Sequence, residues 1–114
     1  MMDIVSELTR AALDTAVLAH LQRGDDCGYR IIGALCAGDA RAQITEVALA
    51  AALRRLEEAG ALRAYWVNEP GGRLRMYALT ADGRQAAERQ LRQWHTLRAL
   101  NDFLQAKEGE NHAD

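Results

Sequence analysis

Between Leu53 and Leu79 an amphipathic helix ends at a glycine and a cationic hairpin follows. That order restricts the fold more than any other feature of the chain. Leu49, Leu53 and Leu56 recur at helical spacing. Gly60 supplies the left-handed residue on which a helix stops. Tyr65-Trp66-Val67 and Leu74-Arg75-Met76-Tyr77 are strand-prone runs on either side of Pro70-Gly71-Gly72, a strong turn signal. Helix, stop and hairpin in this order predict a winged helix-turn-helix. Its helix is suited to a DNA groove and its hairpin tip to the flanking phosphates.

A chain of 114 residues predicts one hydrophobic core. Its core residues are mostly Leu and Ala, with few aromatics, so a second copy would help to bury its apolar surface. The net charge of −2 argues against an indiscriminate nucleic-acid binder. The charge is nevertheless segregated. Residues 1–53 hold four Arg against seven acidic residues, residues 54–98 nine Arg against five, and residues 99–114 one Lys against four. The basic middle is the segment that reads as helix plus hairpin, and arginine suits planar, bidentate contact with phosphate or guanine.

The first long helix is expected from about Thr9 to Gln22, with Leu13, Ala16, Val17, His20 and Leu21 as one stripe. Gly24-Asp25-Asp26 breaks it. A second helix carries Tyr29, Ile31, Ile32 and Leu35 and stops near Gly38, and a polar loop runs from Asp39 to Ile44. Thr45 is the expected cap of the third helix, with Glu46 at its positive end. Thr80 is the expected cap of a last helix running to about Lys107. Trp94, Leu97, Leu100, Phe103 and Leu104 make the second half of that helix too apolar to stand bare in water. The same helix of another copy is its most economical partner. The fold expected is therefore mainly α with a small antiparallel β-hairpin. A winged helix-turn-helix DNA-binding domain covers residues 1–80, a C-terminal dimerisation helix 81–107, and a polar tail 108–114.

On these residues the chain resembles the PadR family of bacterial transcriptional regulators, in its short form with one C-terminal helix. The resemblance spans about residues 8 to 105. Leu13-Asp14-Thr15-Ala16-Val17-Leu18-Ala19-His20-Leu21 looks like the family's first helix, and Gly28-Tyr29-Arg30-Ile31-Ile32 like the start of its second. Leu53-Arg54-Arg55-Leu56-Glu57-Glu58-Ala59-Gly60 with Leu62 is similar to the family's best-recognised run. Gly71-Gly72-Arg73-Leu74-Arg75-Met76-Tyr77-Ala78-Leu79-Thr80, then Gly83, resembles its wing and the entry to its last helix. One segment departs. Where members usually carry Gly-Thr-Leu-Tyr-Pro-Ala-Leu in the recognition helix, this chain has Val47-Ala48-Leu49-Ala50-Ala51-Ala52-Leu53, without the threonine and tyrosine able to hydrogen-bond DNA.

The resemblance implies a homodimeric regulator, a repressor, that binds double-stranded operator DNA through the third helix and wing. Candidate DNA contacts are Tyr29, Arg41, Gln43, Thr45, Ala48, Arg54, Arg73 and Arg75. Alanines such as Ala48 let the helix approach thymine methyls without reading a donor–acceptor pattern. Arg73 and Arg75, two apart on a strand, point to one face. Arg54 faces either the DNA backbone or an ion pair with Glu58 at i, i+4.

The resemblance further implies that the last helix makes most of the dimer interface, and that Trp94 matches a tryptophan flanking a cavity for planar ligands in several small members. Candidate effector or dimer-interface residues are Leu13, Val17, Trp94, Leu97, Asn101 and Leu104. Interface packing alone and release by a small aromatic effector are both open for Trp94, and Asn101 is a candidate for fixing helix register. The alternative function is a ligand-sensing or protein-interaction module that keeps the winged helix but has lost specific DNA binding.

Cys27 and Cys36 are expected as reduced thiols, and no leader or membrane-spanning run is read, so a cytoplasmic protein is expected. His20, His95 and His112 lie far apart, and no metal-ligand pair, phosphate-cradling loop or nucleophile–base set occurs. Neither metal, cofactor nor catalysis is expected.

Overall fold

The computed structural model describes residues 3–37 and 44–111. The order is α1 (Ile4–Leu21), β1 (Asp26–Cys27), α2 (Gly28–Ala37), α3 (Glu46–Glu58), β2 (Leu62–Glu69), β3 (Gly72–Leu79) and α4 (Ala81–Asn111). Helix α1 starts earlier than its apolar stripe suggests. The Asp3 carbonyl accepts the Glu7 N–H, and the Asp3 carboxylate accepts from the Ser6 hydroxyl, so the first turn is closed by polar groups. Helix α3 begins where expected: Thr45 is extended, and its hydroxyl oxygen accepts the Ala48 N–H at 3.0 Å. It ends as expected too, with Gly60 at φ +80° just beyond Ala59.

The hairpin of β2 and β3 pairs Leu62 with Leu79 at its base and Glu69 with Gly72 at its tip. Pro70 and Gly71 make the turn, and Gly71 sits at φ +96°, the positive φ that a type II turn requires at its second central residue. The sheet is larger than a hairpin. Strand β1 adds to the free edge of β3, pairing Asp26 with Tyr77 and Cys27 with Met76, in the order β1-β3-β2. Two residues are too few to show a period, so this strand is invisible to pattern reading.

The core lies where α1, α2, α3 and the sheet meet, and is built from Val17, Leu18, Leu21, Ile31, Leu49, Leu53, Leu56, Leu62 and Leu79, with Ala87 of α4. Four of these leucines come from the segment Leu49–Leu62, which accounts for the weight that segment carries in the sequence. The joint between wing and α4 is tight. Thr80 donates its N–H to the Ala61 carbonyl and its hydroxyl to the Gly60 carbonyl, while its hydroxyl oxygen accepts the Gly83 N–H. A Cβ on Gly83 would overlap the Ala61 carbonyl, so the family-like glycine marks a close backbone approach.

Helix α4 runs through Asn111, so helix continues where the sequence reading placed the polar tail from residue 108. At about 1.5 Å per residue its 31 residues span about 46 Å, and the molecule measures 63 × 32 × 29 Å. From His95 to Glu110 every residue is exposed. Among the described residues no helix is long and apolar enough to cross a membrane.

Candidate nucleic-acid interface

Helix α3 buries Leu49, Ala52, Leu53 and Leu56 and turns Val47, Ala50, Arg54 and Glu58 outward. With the exposed Glu46 at its start, the outward face thus carries two aliphatic side chains, one cation and two carboxylates. Val47 is 80% exposed, which no packing demand explains. Ala48, a candidate contact by sequence, does not lie on this face. It lies half-buried in a cleft with Thr9, Leu13 and Ala16 of α1, about a quarter-turn from Val47. Arg54 is exposed and forms no ion pair with Glu58, which removes one of its two sequence readings. Its neighbour Arg55 turns inward and holds Asp14 of α1 at 2.6 Å.

Tyr29 stands 84% exposed at the start of α2 and, with Ile32, Glu46 and Ala50, lines a cleft of about 300 Å³ between α2 and α3. Thr45 spends its acceptor on the helix cap and retains its hydroxyl proton for an outside acceptor. Arg41 and Gln43 lie outside the described residues.

The wing carries a cluster the sequence did not announce. Trp66 of β2 faces Arg75 of β3 directly, and Asn68 faces Arg73. Both guanidinium groups lie over the Trp66 indole, Arg73 at 4.5 Å from the ring centroid and Arg75 at 5.2 Å. Arg75 also lies 5.8 Å from the Tyr77 ring and pairs with Glu57 of α3 at 3.4 Å. This ion pair joins the wing to the outward-facing helix. Trp66, Glu57 and Val47 are therefore parts of the surface that pattern reading missed. Only the strand register brings the first to the arginines, and only the docking of α3 on the sheet brings the second.

On the opposite face of β2, Tyr65 donates its hydroxyl proton to Asp25 at 2.6 Å. That hydrogen bond is the main reason the phenol titrates above its ordinary value of 10.0. His20 and Asp26 meet at 2.8 Å, and the other Asp26 oxygen accepts the Cys27 N–H, which anchors β1 to the end of α1.

The residues expected at an effector or dimer surface divide. Val17 is fully buried in the core and available to neither, because α3 and the sheet close over that side of α1. Leu13 is half-buried against α3. Trp94, Leu97 and Asn101, with Leu8 and Arg98, line a groove of about 390 Å³ between α1 and α4, and Leu104 lies beyond it, 61% exposed. The Trp94 indole N–H donates to the Thr15 hydroxyl at 2.9 Å.

The chain matches the Transcriptional regulator PadR-like family over residues 17–89. Among solved structures, a PadR-family transcriptional regulator from Eggerthella lenta is 30% identical, with a TM-score of 0.70 over 89% of this chain and 88% of that one. A transcriptional regulator from Clostridium thermocellum is 28% identical, with a TM-score of 0.74 over 90% and 98%. A PadR-family regulator from Clostridium difficile is 27% identical, with a TM-score of 0.69 over 81% and 97%. No protein of curated function matches the chain.

Proposed function

The chain belongs to the PadR-like family of transcriptional regulators, a family of regulators and not of enzymes, and from that premise we propose that it is a cytoplasmic repressor binding operator DNA as a homodimer. The observation that carries this reading is the Arg75–Glu57 ion pair, which ties the arginine face of the wing to α3 beside that helix's outward face. Val47 and Ala50 offer thymine methyls an aliphatic contact, and Arg54 and Arg73 offer phosphate or base-edge contacts. With so few hydrogen-bonding side chains on α3, selectivity comes mainly from the spacing of two wings and the shape of the duplex.

Dimerisation is supported by the exposed apolar side chains Leu97, Leu100, Phe103 and Leu104 on α4, with Ile4 and Leu8 on α1. The groove beside Trp94 supports release by a small apolar or aromatic effector. The same groove, together with an α3 face that carries one cation, favours the second reading of a ligand-sensing or protein-interaction module without operator binding.

Fluorescence anisotropy separates the two. The purified protein is titrated onto the DNA upstream of its own gene and onto a scrambled duplex of equal length, at several salt concentrations. Tighter binding to the native fragment, weakening as salt rises, is the outcome expected of a repressor. Equal and feeble binding to both would transfer the function to the second reading.

A further inference from the structure

Resting on the DNA-binding reading, we propose that Trp66 is a positioning residue that presents Arg73 to a DNA phosphate, whereas Arg75 braces the wing to α3. In sequence the two arginines are equivalent, two apart on one strand face. Their surroundings differ. Arg75 is held on three sides, by Glu57 at 3.4 Å, by the Trp66 ring at 5.2 Å and by the Tyr77 ring at 5.8 Å. Its charge is matched by a carboxylate. Arg73 lies two residues nearer the tip and has the closer contact with the indole, 4.5 Å from its centroid. Among the described residues no carboxylate pairs with it.

Stacking uses the face of a guanidinium and leaves its five N–H donors free at the edge. An arginine on an indole is thus both restrained and unspent, able to give two parallel hydrogen bonds to a phosphate. Restraint matters because an arginine ordered before contact loses less rotamer freedom on binding. It also gives a role to an indole left 51% exposed on a strand.

Salt-dependent anisotropy on the preferred duplex tests the division. Arg73→Ala reduces the slope of log affinity against log salt by about one, the share of one phosphate contact. Arg75→Ala lowers affinity with the slope unchanged. Trp66→Leu lowers affinity about three- to tenfold at unchanged slope, Trp66→Phe recovers most of the loss, and Trp66→Leu added to Arg73→Ala costs clearly less than it does in the native protein, the remainder being its hold on Arg75. Equal slope losses at both arginines, or additive losses for Trp66→Leu and Arg73→Ala, would overturn the proposal.

A second readout needs no DNA. The Arg73 Nε–H resonance is expected upfield from the indole ring current in the native protein and at its ordinary position in Trp66→Leu. A native Nε–H resonance at its ordinary position would show that the indole does not hold Arg73. A ring-current shift alongside salt-independent native binding instead overturns the DNA reading, and with it any role of Trp66 in DNA contact.

Discussion

The indole N–H of Trp94 and the hydroxyl of Thr15, 79 residues apart in sequence, meet at 2.9 Å and join α4 to α1. Thr15 is 5% exposed, and its hydroxyl also lies 2.8 Å from both the Gln90 side-chain oxygen and the Ala11 carbonyl. One hydroxyl proton cannot serve both acceptors, so Thr15 accepts from Trp94 and donates to one of them. The tryptophan that borders the proposed effector groove is therefore oriented by a residue buried in the winged domain.

Replacing Thr15 by Val keeps the shape and removes the hydroxyl, leaving the indole N–H without its partner. The expected loss is about 1–3 kcal/mol of stability, the cost of an unsatisfied, partly buried donor. It is read from the urea midpoint at fixed protein concentration, since the stability of the proposed dimer would depend on concentration. A midpoint equal to that of the native protein would mean that the bond orients nothing.

Two glycines on helices make a matched pair. Gly83→Ala drives a Cβ into the Ala61 backbone and is expected to destabilise by about 1–3 kcal/mol or more, through overpacking. Gly33→Ala in α2 meets nothing within 4 Å and is expected to stabilise by up to about 1 kcal/mol, the difference in helix propensity. Thermal melts followed by circular dichroism distinguish them. Equal shifts would show that the Thr80–Gly83 joint yields freely.

Exposed side chains on α4 test the association. Leu100 and Leu104 are 54% and 61% exposed in the single chain, so Leu100→Glu with Leu104→Glu should leave the winged domain folded. Each apolar side chain withdrawn from an interface forfeits about 1.5–3 kcal/mol, counted twice by symmetry. Sedimentation velocity is expected to show a dimer for the native protein and a monomer for the double variant. An unchanged sedimentation coefficient would place the contact between copies elsewhere.

Val47 offers the cleanest probe of α3. Because it is 80% exposed, Val47→Asp should alter stability by no more than about 0.5 kcal/mol. A carboxylate facing phosphates at that position is expected to abolish operator binding in the anisotropy assay. Retained affinity would remove α3 from the contact surface.

The Tyr65 phenol reports on the joint between β2 and the turn before β1. Its pKa is raised above 10.0 mainly by the hydrogen bond to Asp25. Since the native state holds this proton more tightly than the unfolded chain, the contribution is complete below pH 10. It is lost as the pH climbs through the raised native value. Ultraviolet difference titration should place one tyrosine above the ordinary range, and Asp25→Asn should return it towards 10.0. No change in Asp25→Asn would assign the shift to another neighbour.

Much of this was already written in local sequence. Helix starts at Thr45 and Thr80, the stop at Gly60 and the turn at Pro70-Gly71 are settled by groups three or four residues apart, whose hydrogen bonds and φ angles do not wait for the rest of the chain. The buried leucines of α3 follow from period alone, and so does the shared face of Arg73 and Arg75. Tertiary structure decided what those faces meet. It buried Val17 and turned Ala48 aside, because which part of an apolar stripe is covered depends on the neighbour's angle of approach. It recruited Asp26 and Cys27 as a strand, because so short a segment is ordered only by its partner. It made Arg73 and Arg75 unlike, because Trp66 and Glu57 reach them through strand register and helix docking, and neither is encoded within one window of sequence.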